Sequence, residues 1–495
     1  MKVLLIYPEF PDTFWSFRHA LPFIGKRSAY PPLGLLTVSA LLPPHWSRRL
    51  ADLNVQSLRD ADLAWADVAF LSAMLVQGPF LDAALERCRE AGLRTVVGGP
   101  IACTDHPSLA KADHVLRGEA ERVVAEMAAD LEAGTARHRY EADGWTDMTT
   151  VPPPDLHLAR MRRYSAMPVQ YSRGCPFSCE FCDIIELFGR KPRTKTPEQV
   201  LEEFERLYRL GWRGSIFIVD DNFVGNRQAL KTLLPRLAGW MRARGNPFSL
   251  FTQASVNLAE DDELLSMMRA ARFNKVFVGI ETPIAECHRA AGKMQNVKAD
   301  LLASVRQIQR HGMEVMGGFI VGFDQDSPDV FDKQIDFIRE AAIPVSMVGL
   351  LTALPNTQLW RRLSAEGRIL RESMGNNTEA FLNFIPRMSP EALLAGYRKV
   401  LASIYTPSEY FERAQAMLSR LGAVPKTRRV FSDYLGLGQS FVRQGIVARY
   451  RAAYWRFLAK TLVRTPRHLG LAVTLAIMGH HFFVLCRRME SEPLK

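Results

Sequence analysis

Three cysteines stand at C-x3-C-x2-C spacing in the stretch Tyr171-Ser172-Arg173-Gly174-Cys175-Pro176-Phe177-Ser178-Cys179-Glu180-Phe181-Cys182. Three thiolates on one tight loop can hold three irons of a cubane cluster and leave the fourth iron open to a small ligand. A structural zinc site would close with four protein ligands, and no fourth Cys or His follows at a suitable distance. Cys88, Cys103, Cys287 and Cys486 are scattered, with no C-x-x-C among them, so a second cluster or a zinc site is not expected. An oxygen-sensitive cluster and free thiols suit a reducing, cytoplasmic compartment. The opening residues, through Pro8, are too short a run for a secretory leader.

A cluster loop needs elements to carry it, and 495 residues leave room for two to four domains. Residues 2–7 (KVLLIY), 66–72, 95–100 and 112–119 read as buried strands, with helices over 35–42, 79–91 and 119–133. This alternation predicts an open, doubly wound α/β domain of the Rossmann-like kind over residues 1–140. Ligands of such sheets sit beyond the carboxyl ends of the strands, where Ser72, Gly98, Gly99, Gly118 and Glu119 fall. Glycine there lets a flat cofactor approach the backbone, although the same residues could merely turn the chain.

A proline-rich connection (141–165) leads into further βα units over 166–363. Strands are expected at 168–172, 215–220, 249–256, 275–281, 314–321 and 345–351. Helices are expected at 197–210, 226–243, 260–271, 297–312 and 328–342. Six units make a partial (βα)6 barrel with function at the carboxyl ends. Those ends carry Asp220-Asp221-Asn222, Gln253, Glu281-Thr282 and Gly317-Gly318. A carboxylate at a buried edge needs a cation or hydroxyl partner. For Glu281 that partner is a ligand, or a salt bridge to Lys275 or Arg272.

From residue 364 onward the pattern becomes helical. Residues 371–495 hold 19 Lys and Arg against 8 Asp and Glu, a balance of +11, whereas the first 370 hold 44 of each. Seven basic residues in 443–467 alternate with aromatics, and the 18 residues of 469–486 carry no formal charge. That run reads as a buried bundle helix, as a helix lying on a membrane surface, or as a poor spanning helix. Nucleic acid is not expected, since no RNA- or DNA-binding module accompanies the basic tail.

The cysteine loop, with YSRG before it and Phe181 before its last thiol, resembles that of radical S-adenosylmethionine (SAM) enzymes, whose open iron binds the methionine group of SAM. The preceding domain resembles the cobalamin-binding domain of the cobalamin-dependent branch. Its P-P-L-G, G-G-P and G-E-x-E motifs match Pro31–Gly34, Gly98–Pro100 and Gly118–Glu121. The D-x-H-x-x-G signature is absent, which implies cobalamin without a histidine below its cobalt. The resemblance implies three cofactors: a [4Fe–4S] cluster on Cys175, Cys179 and Cys182, SAM, and cobalamin at Ser72, Gly98, Gly99, Gly118 and Glu119. It gives Phe181, Gly279, Glu281, Gly317 and Gly318 to SAM. Of the two aspartates, Asp220 goes to SAM and Asp221, with Asn222, to the substrate or a helix N-terminus.

The match extends through Phe188–Arg190, Lys195–Val200, Val219–Arg227, Phe277–Pro283 and Ala353–Thr357. These segments are similar to the hopanoid C-2 methylase and bacteriochlorophyll side-chain methylase subfamily. The implied reaction is methylation of an unactivated carbon in a hydrophobic substrate, a hopanoid or isoprenoid lipid or a tetrapyrrole. A flavodoxin or ferredoxin would supply the electron, and the protein would sit in the cytoplasm or on the inner face of the membrane. A non-methylating cyclisation or rearrangement using the same cofactors is the alternative. A tRNA methylthiolase would need three more N-terminal cysteines, and only Cys88 and Cys103 are there.

Overall fold

The computed structural model describes residues 1–376, 381–423 and 430–491. Four basic residues of the tail, Lys426, Arg428, Arg429 and Lys495, lie outside these. The first sheet contains β1 (Lys2–Tyr7), β2 (Ser47–Asp52), β3 (Val68–Ser72), β4 (Arg94–Gly98), β5 (His114–Arg117) and β6 (Arg139–Glu141). All are parallel, in the order β2-β1-β3-β4-β5-β6. Its apolar runs divide by alternation. Leu4, Ile6, Leu71 and Val97 face one core with the helix Gly78–Glu90, while Val3, Leu5, Phe70 and Val96 face another with Leu33–Leu41 and Val124–Ala133. Burial on both faces is why the central strands read as continuous hydrophobic segments. β2 (SRRLAD) and β6 (RYE) escape a hydropathy reading because edge strands can be polar. The chain order reverses between β1 and β3, the point at which such sheets open a crevice.

The second sheet starts at β7 (Ala166–Val169). A short antiparallel pair, β8 (Ser172–Arg173) and β9 (Arg193–Thr194), brackets the cysteine loop. Then come β10 (Ser215–Ile218), β11 (Ser249–Ala254), β12 (Phe273–Glu281), β13 (Glu314–Val321) and β14 (Ser346–Leu350), one per βα unit. The order β14-β13-β12-β11-β10-β7 is parallel throughout and does not close, so six strands form the expected partial barrel. The helix Pro197–Arg209 begins at a Thr196/Gln199 capping box, legible in the sequence as T-P-E-Q.

The open side is covered from both ends of the chain. Trp15 lies 4.7 Å from the Phe277 ring and Tyr30 lies 5.4 Å from Phe217. The apolar run forms most of the helix Leu469–Ser491, which buries Leu475, Ala476, Phe482 and Phe483 against neighbouring helices and Phe14. With 61% of its most apolar window buried, this segment serves as a bundle helix, and the membrane-surface reading of 469–486 gives way.

His480 and His481 dock this helix onto its neighbours. The Tyr450 hydroxyl lies 2.6 Å from His480 Nδ1, and His481 Nε2 lies 3.1 Å from the Thr13 carbonyl. Burial, with positive neighbours, pushes both imidazoles down to about 4 from an ordinary 6.5. Folding therefore favours neutral rings, so the stability they confer is complete above pH 6.5 and is lost as pH falls toward 4. Each pH unit across that window costs up to about 1.4 kcal/mol per ring. Thermal melts should fall over it more steeply in the wild type than in His480→Gln/His481→Gln.

Candidate active site at the facing mouths of two sheets

Gly174 turns the chain from β8 into the cysteine loop with φ +92°. A Cβ there would lie 2.7 Å from the Lys191 carbonyl oxygen and 2.9 Å from that of Gly189. The Cys175 N–H donates to the Gly189 carbonyl at 3.2 Å, closing the loop on itself. Asp220, fully buried at the end of β10, accepts from the Tyr171 N–H (2.7 Å), the Ser172 N–H (2.8 Å) and the Ser172 hydroxyl (2.6 Å). Its carboxylate, expected to touch SAM, is bound to the loop and positions it. Burial raises its pKa to about 6 against these hydrogen bonds.

Each thiol faces a donor. Asn222 Nδ2 lies 3.8 Å from Cys175 Sγ and Gln295 Nε2 lies 3.8 Å from Cys179 Sγ. The Ile184 N–H serves Cys182. Burial raises all three thiols, while the Lys293 ammonium pulls Cys175 and Cys179 back down. Among the described residues no three Cys, His, Asp or Glu side chains converge on a single-ion site. Three thiols on one loop, each with an amide donor to its sulfur, suit a cluster held by three protein ligands.

Glu281 ends β12 at a bulge after Gly279, with φ +64° and only 8% of its surface exposed. It pairs with Lys293, not with Lys275 or Arg272. A Cβ on Gly279 would lie 2.4 Å from Glu281 Oε1 and 2.8 Å from Lys293 Nζ, so glycine there makes room for the pair. Burial opposes the Lys293 charge, but Glu281 and the Cys179 thiol outweigh it and raise its pKa. Beside it Asn296 donates to the Gly279 and Ile280 carbonyls, while Asn296 Oδ1 and Gln295 Oε1 are buried without a partner. Orphaned acceptors beside a buried ion pair fit a ligand with ammonium and hydroxyl donors, as SAM has. Phe181 lies 5.9 Å from Lys293 Nζ, in the same corner. Gly318 is the register partner of Gly279 and leaves room for the Phe277 ring at 2.8 Å. Gly317 is paired with Val278 on the helix-facing side, where a Cβ would meet Phe319, so it stands away from the mouth.

Asp221 is partly exposed beside the loop. Burial, with repulsion from Asp220 and Asp183, lifts its carboxyl to about 7. Asn222 is divided between Cys175 and Ser255, whose N–H and hydroxyl it accepts at 3.1 and 3.2 Å. Lys293, Gln295 and Asn296 were not legible as site residues. Only the polarity of K-M-Q-N between helices distinguishes them.

The first sheet meets this mouth end-on. Glu119 receives Arg193 at 2.8 and 3.0 Å and lies 3.4 Å from Arg173, and Glu121 receives Arg173 at 2.6 Å. Glu119, expected beside a cofactor, therefore ties the α/β domain to the cysteine loop. Gln77 bridges the loops after β1 and β3 by donating to the Pro8 carbonyl at 2.7 Å and accepting from the Met74 N–H. Ser72 Oγ would lie 2.5 Å from a Cβ on Gly99 (φ +86°), and Gly118 (φ +86°) packs on Ala142. A Cβ on Gly98 meets nothing nearer than Leu116 at 3.7 Å. The chain's own packing thus requires glycine at 99 and 118, whereas the Gly98 position is open to a ligand. Gly98→Val should fold normally and yet lower cobalamin retention at least tenfold, read by the absorbance of protein recovered after gel filtration. Unchanged retention would place the group elsewhere.

The sequence model of the radical SAM superfamily matches residues 169–338, and one described as a domain of unknown function matches residues 357–493. An uncharacterised methyltransferase of Synechocystis is 40% identical over 490 residues, 97% of this chain and 91% of its own. Hopanoid C-2 methylase of Rhodopseudomonas palustris is 34% identical over 98% of this chain and 94% of its own. The fold is that of the radical SAM methyltransferase TsrM from Kitasatospora setae, solved with cobalamin and a [4Fe–4S] cluster bound. The TM-score is 0.63 at 16% identity, covering 93% of this chain and 99% of TsrM. Likeness at 34–40% identity runs through both mouths and the helical tail alike, and on that ground, with the radical SAM model over the barrel, the chain belongs to the radical SAM methyltransferases, the family of the hopanoid C-2 methylase.

Proposed function

We propose that this enzyme methylates an unactivated carbon of a hydrophobic substrate of hopanoid, isoprenoid or tetrapyrrole type. The observation that carries the reading is the inner face of the barrel. Alternate residues of β11 and β12 facing it (Phe251 and Gln253, Phe277 and Gly279) are only partly buried, whereas their neighbours are buried against helices. Phe217 stacks on Phe251 at 4.7 Å, and Tyr30, with 36% of its surface accessible, continues the aromatic wall. Such a lining suits an apolar ring system and offers few polar groups to a soluble metabolite.

When bound, the cluster and SAM supply a radical that abstracts hydrogen, and cobalamin supplies the methyl group. The chain's part is to hold and shield them. Cys175, Cys179 and Cys182 ligate, and Asp220 and Gly174 fix their loop. Glu281, Lys293, Gln295 and Asn296 orient SAM, while Gly98, Gly99, Gly118 and Ser72 floor the cobalamin crevice. The aromatic wall keeps water from the reacting carbon. Asp221, partly exposed beside the loop, would meet the substrate's polar end, with Asn222 supporting it from between Cys175 and Ser255, and a flavodoxin or ferredoxin would supply the electron.

The test incubates anaerobically reconstituted protein with SAM, a reductant and fractionated lipid or pigment extracts, with mass spectrometry as readout. A product heavier by one methylene, formed with 5′-deoxyadenosine, is expected. Deoxyadenosine with an unmethylated, rearranged product would overturn methyl transfer in favour of cyclisation or rearrangement.

A further inference from the structure

With the helix Leu469–Ser491 buried, the tail's excess charge still needs an explanation, and the surface supplies one. The helix Phe431–Ser440 and the π-helical turn Phe441–Val447 expose Phe431 (81%), Tyr434, Leu437, Phe441, Ile446 and Val447 (72%). The spacing 431, 434, 437, 441 draws one stripe along a single helix side, and the wider turn carries it on. The helix Arg451–Arg464 packs beside it, with Trp455 Nε1 donating to the Gly445 carbonyl at 2.9 Å and its ring 5.4 Å from Phe441. This second helix exposes Trp455, Leu462 and Val463.

Exposed arginines and a lysine surround these side chains: Arg443, Arg449, Arg451, Arg456, Lys460 and Arg464. Between residues 430 and 468 there are seven basic residues and one acid, Asp433, whose carboxylate caps the helix start at the Val430 N–H. Bare aromatic and aliphatic side chains ringed by arginine complement a surface that is anionic at the top and apolar just beneath. An acidic protein would account for the charge but not for so much uncovered apolar area. The patch also adjoins the segment that covers the open side of the barrel. The helix Phe431–Ser440 packs on Leu21–Ile24, with Leu435 3.1 Å from a Cβ on Gly25, and this turn follows Trp15, whose ring lies against Phe277.

We infer that residues 431–464 form a bilayer-docking surface that seats the enzyme on anionic lipid beside its hydrophobic substrate. The proposal reaches beyond the methylation reading, and vesicle binding needs neither cluster nor turnover, so either can fail alone. The experiment floats the full-length protein with vesicles of phosphatidylglycerol and phosphatidylcholine in equal parts, and with phosphatidylcholine alone. Recovery with the anionic vesicles, reduced by high salt, is expected. Ile446→Asp/Val447→Asp, which alters only exposed positions, should abolish it. Arg449→Glu/Arg451→Glu should weaken it roughly tenfold or more. Absence of flotation with both vesicle types overturns the proposal, as does wild-type binding by the Ile446→Asp/Val447→Asp protein. A concentration-dependent dimer broken by the same pair, without vesicle binding, would assign the patch to a second copy and overturn it equally.

Discussion

Cys175→Ala, Cys179→Ala and Cys182→Ala are each expected to reduce 5′-deoxyadenosine formation to background, the largest effect available in this protein. Two thiolates cannot hold a cubane that depends on three protein ligands, because the fourth iron is reserved for SAM. Asn222 and Gln295, the nearest polar groups to Cys175 and Cys179, present amide donors to sulfur rather than a fourth thiol. The measurement is iron and sulfide content after anaerobic reconstitution, followed by chromatography of deoxyadenosine. Cys103→Ser and Cys88→Ala serve as controls and should keep both iron and activity. Alanine is chosen at the fully buried Cys88 because it removes the thiol without burying a new hydroxyl. Normal activity in any of the three ligand variants would remove the cluster from the mechanism.

The second large effect belongs to Lys293. Lys293→Met leaves Glu281 as a carboxylate with 8% exposure and no cation. Breaking a buried pair from one side costs about 3–5 kcal/mol, most of it the penalty on the charge left behind. The double change Glu281→Gln/Lys293→Met removes both charges and should regain most of that stability. It should not regain SAM affinity, because the orphaned acceptors of Gln295 and Asn296 then lose the charged corner they share. Thermal unfolding separates stability from binding, and equilibrium dialysis with labelled SAM reads the second. If the double variant binds SAM as the wild type does, the pair is structural only. The same result would return Glu281 to the salt-bridge reading that its sequence position also allowed.

Much of the barrel was legible because its signals are local. Strands such as SIFI and EVMGGFIV are buried on both faces and therefore continuous in hydropathy. Helix starts such as T-P-E-Q carry their own caps. The edge strands SRRLAD and RYE were not legible, since an edge can be polar and its pairing is with distant chain. The apolar run 469–486 was ambiguous for a related reason. Hydropathy records that a segment leaves water but not what covers it, and here Phe14, Tyr405 and Tyr410 cover it.

The sequence alone determined the cysteine loop and its chemistry, because ligand count and spacing within twelve residues are properties of adjacent chain. It also determined the alternation that makes two parallel sheets, and the segregation of charge into the last quarter. Only the tertiary structure decided which polar residues are already partnered by the chain itself. Asp220 and Glu119 look like ligand carboxylates from their positions at strand ends, yet the first is enclosed by amide donors and the second by Arg173 and Arg193. Lys293, inconspicuous in sequence, pairs with Glu281 and its charge acts on the Cys175 and Cys179 thiols. A buried charge is settled by whichever opposite charge or donor the fold brings within about 3 Å, and that partner is set by packing between elements far apart in the chain.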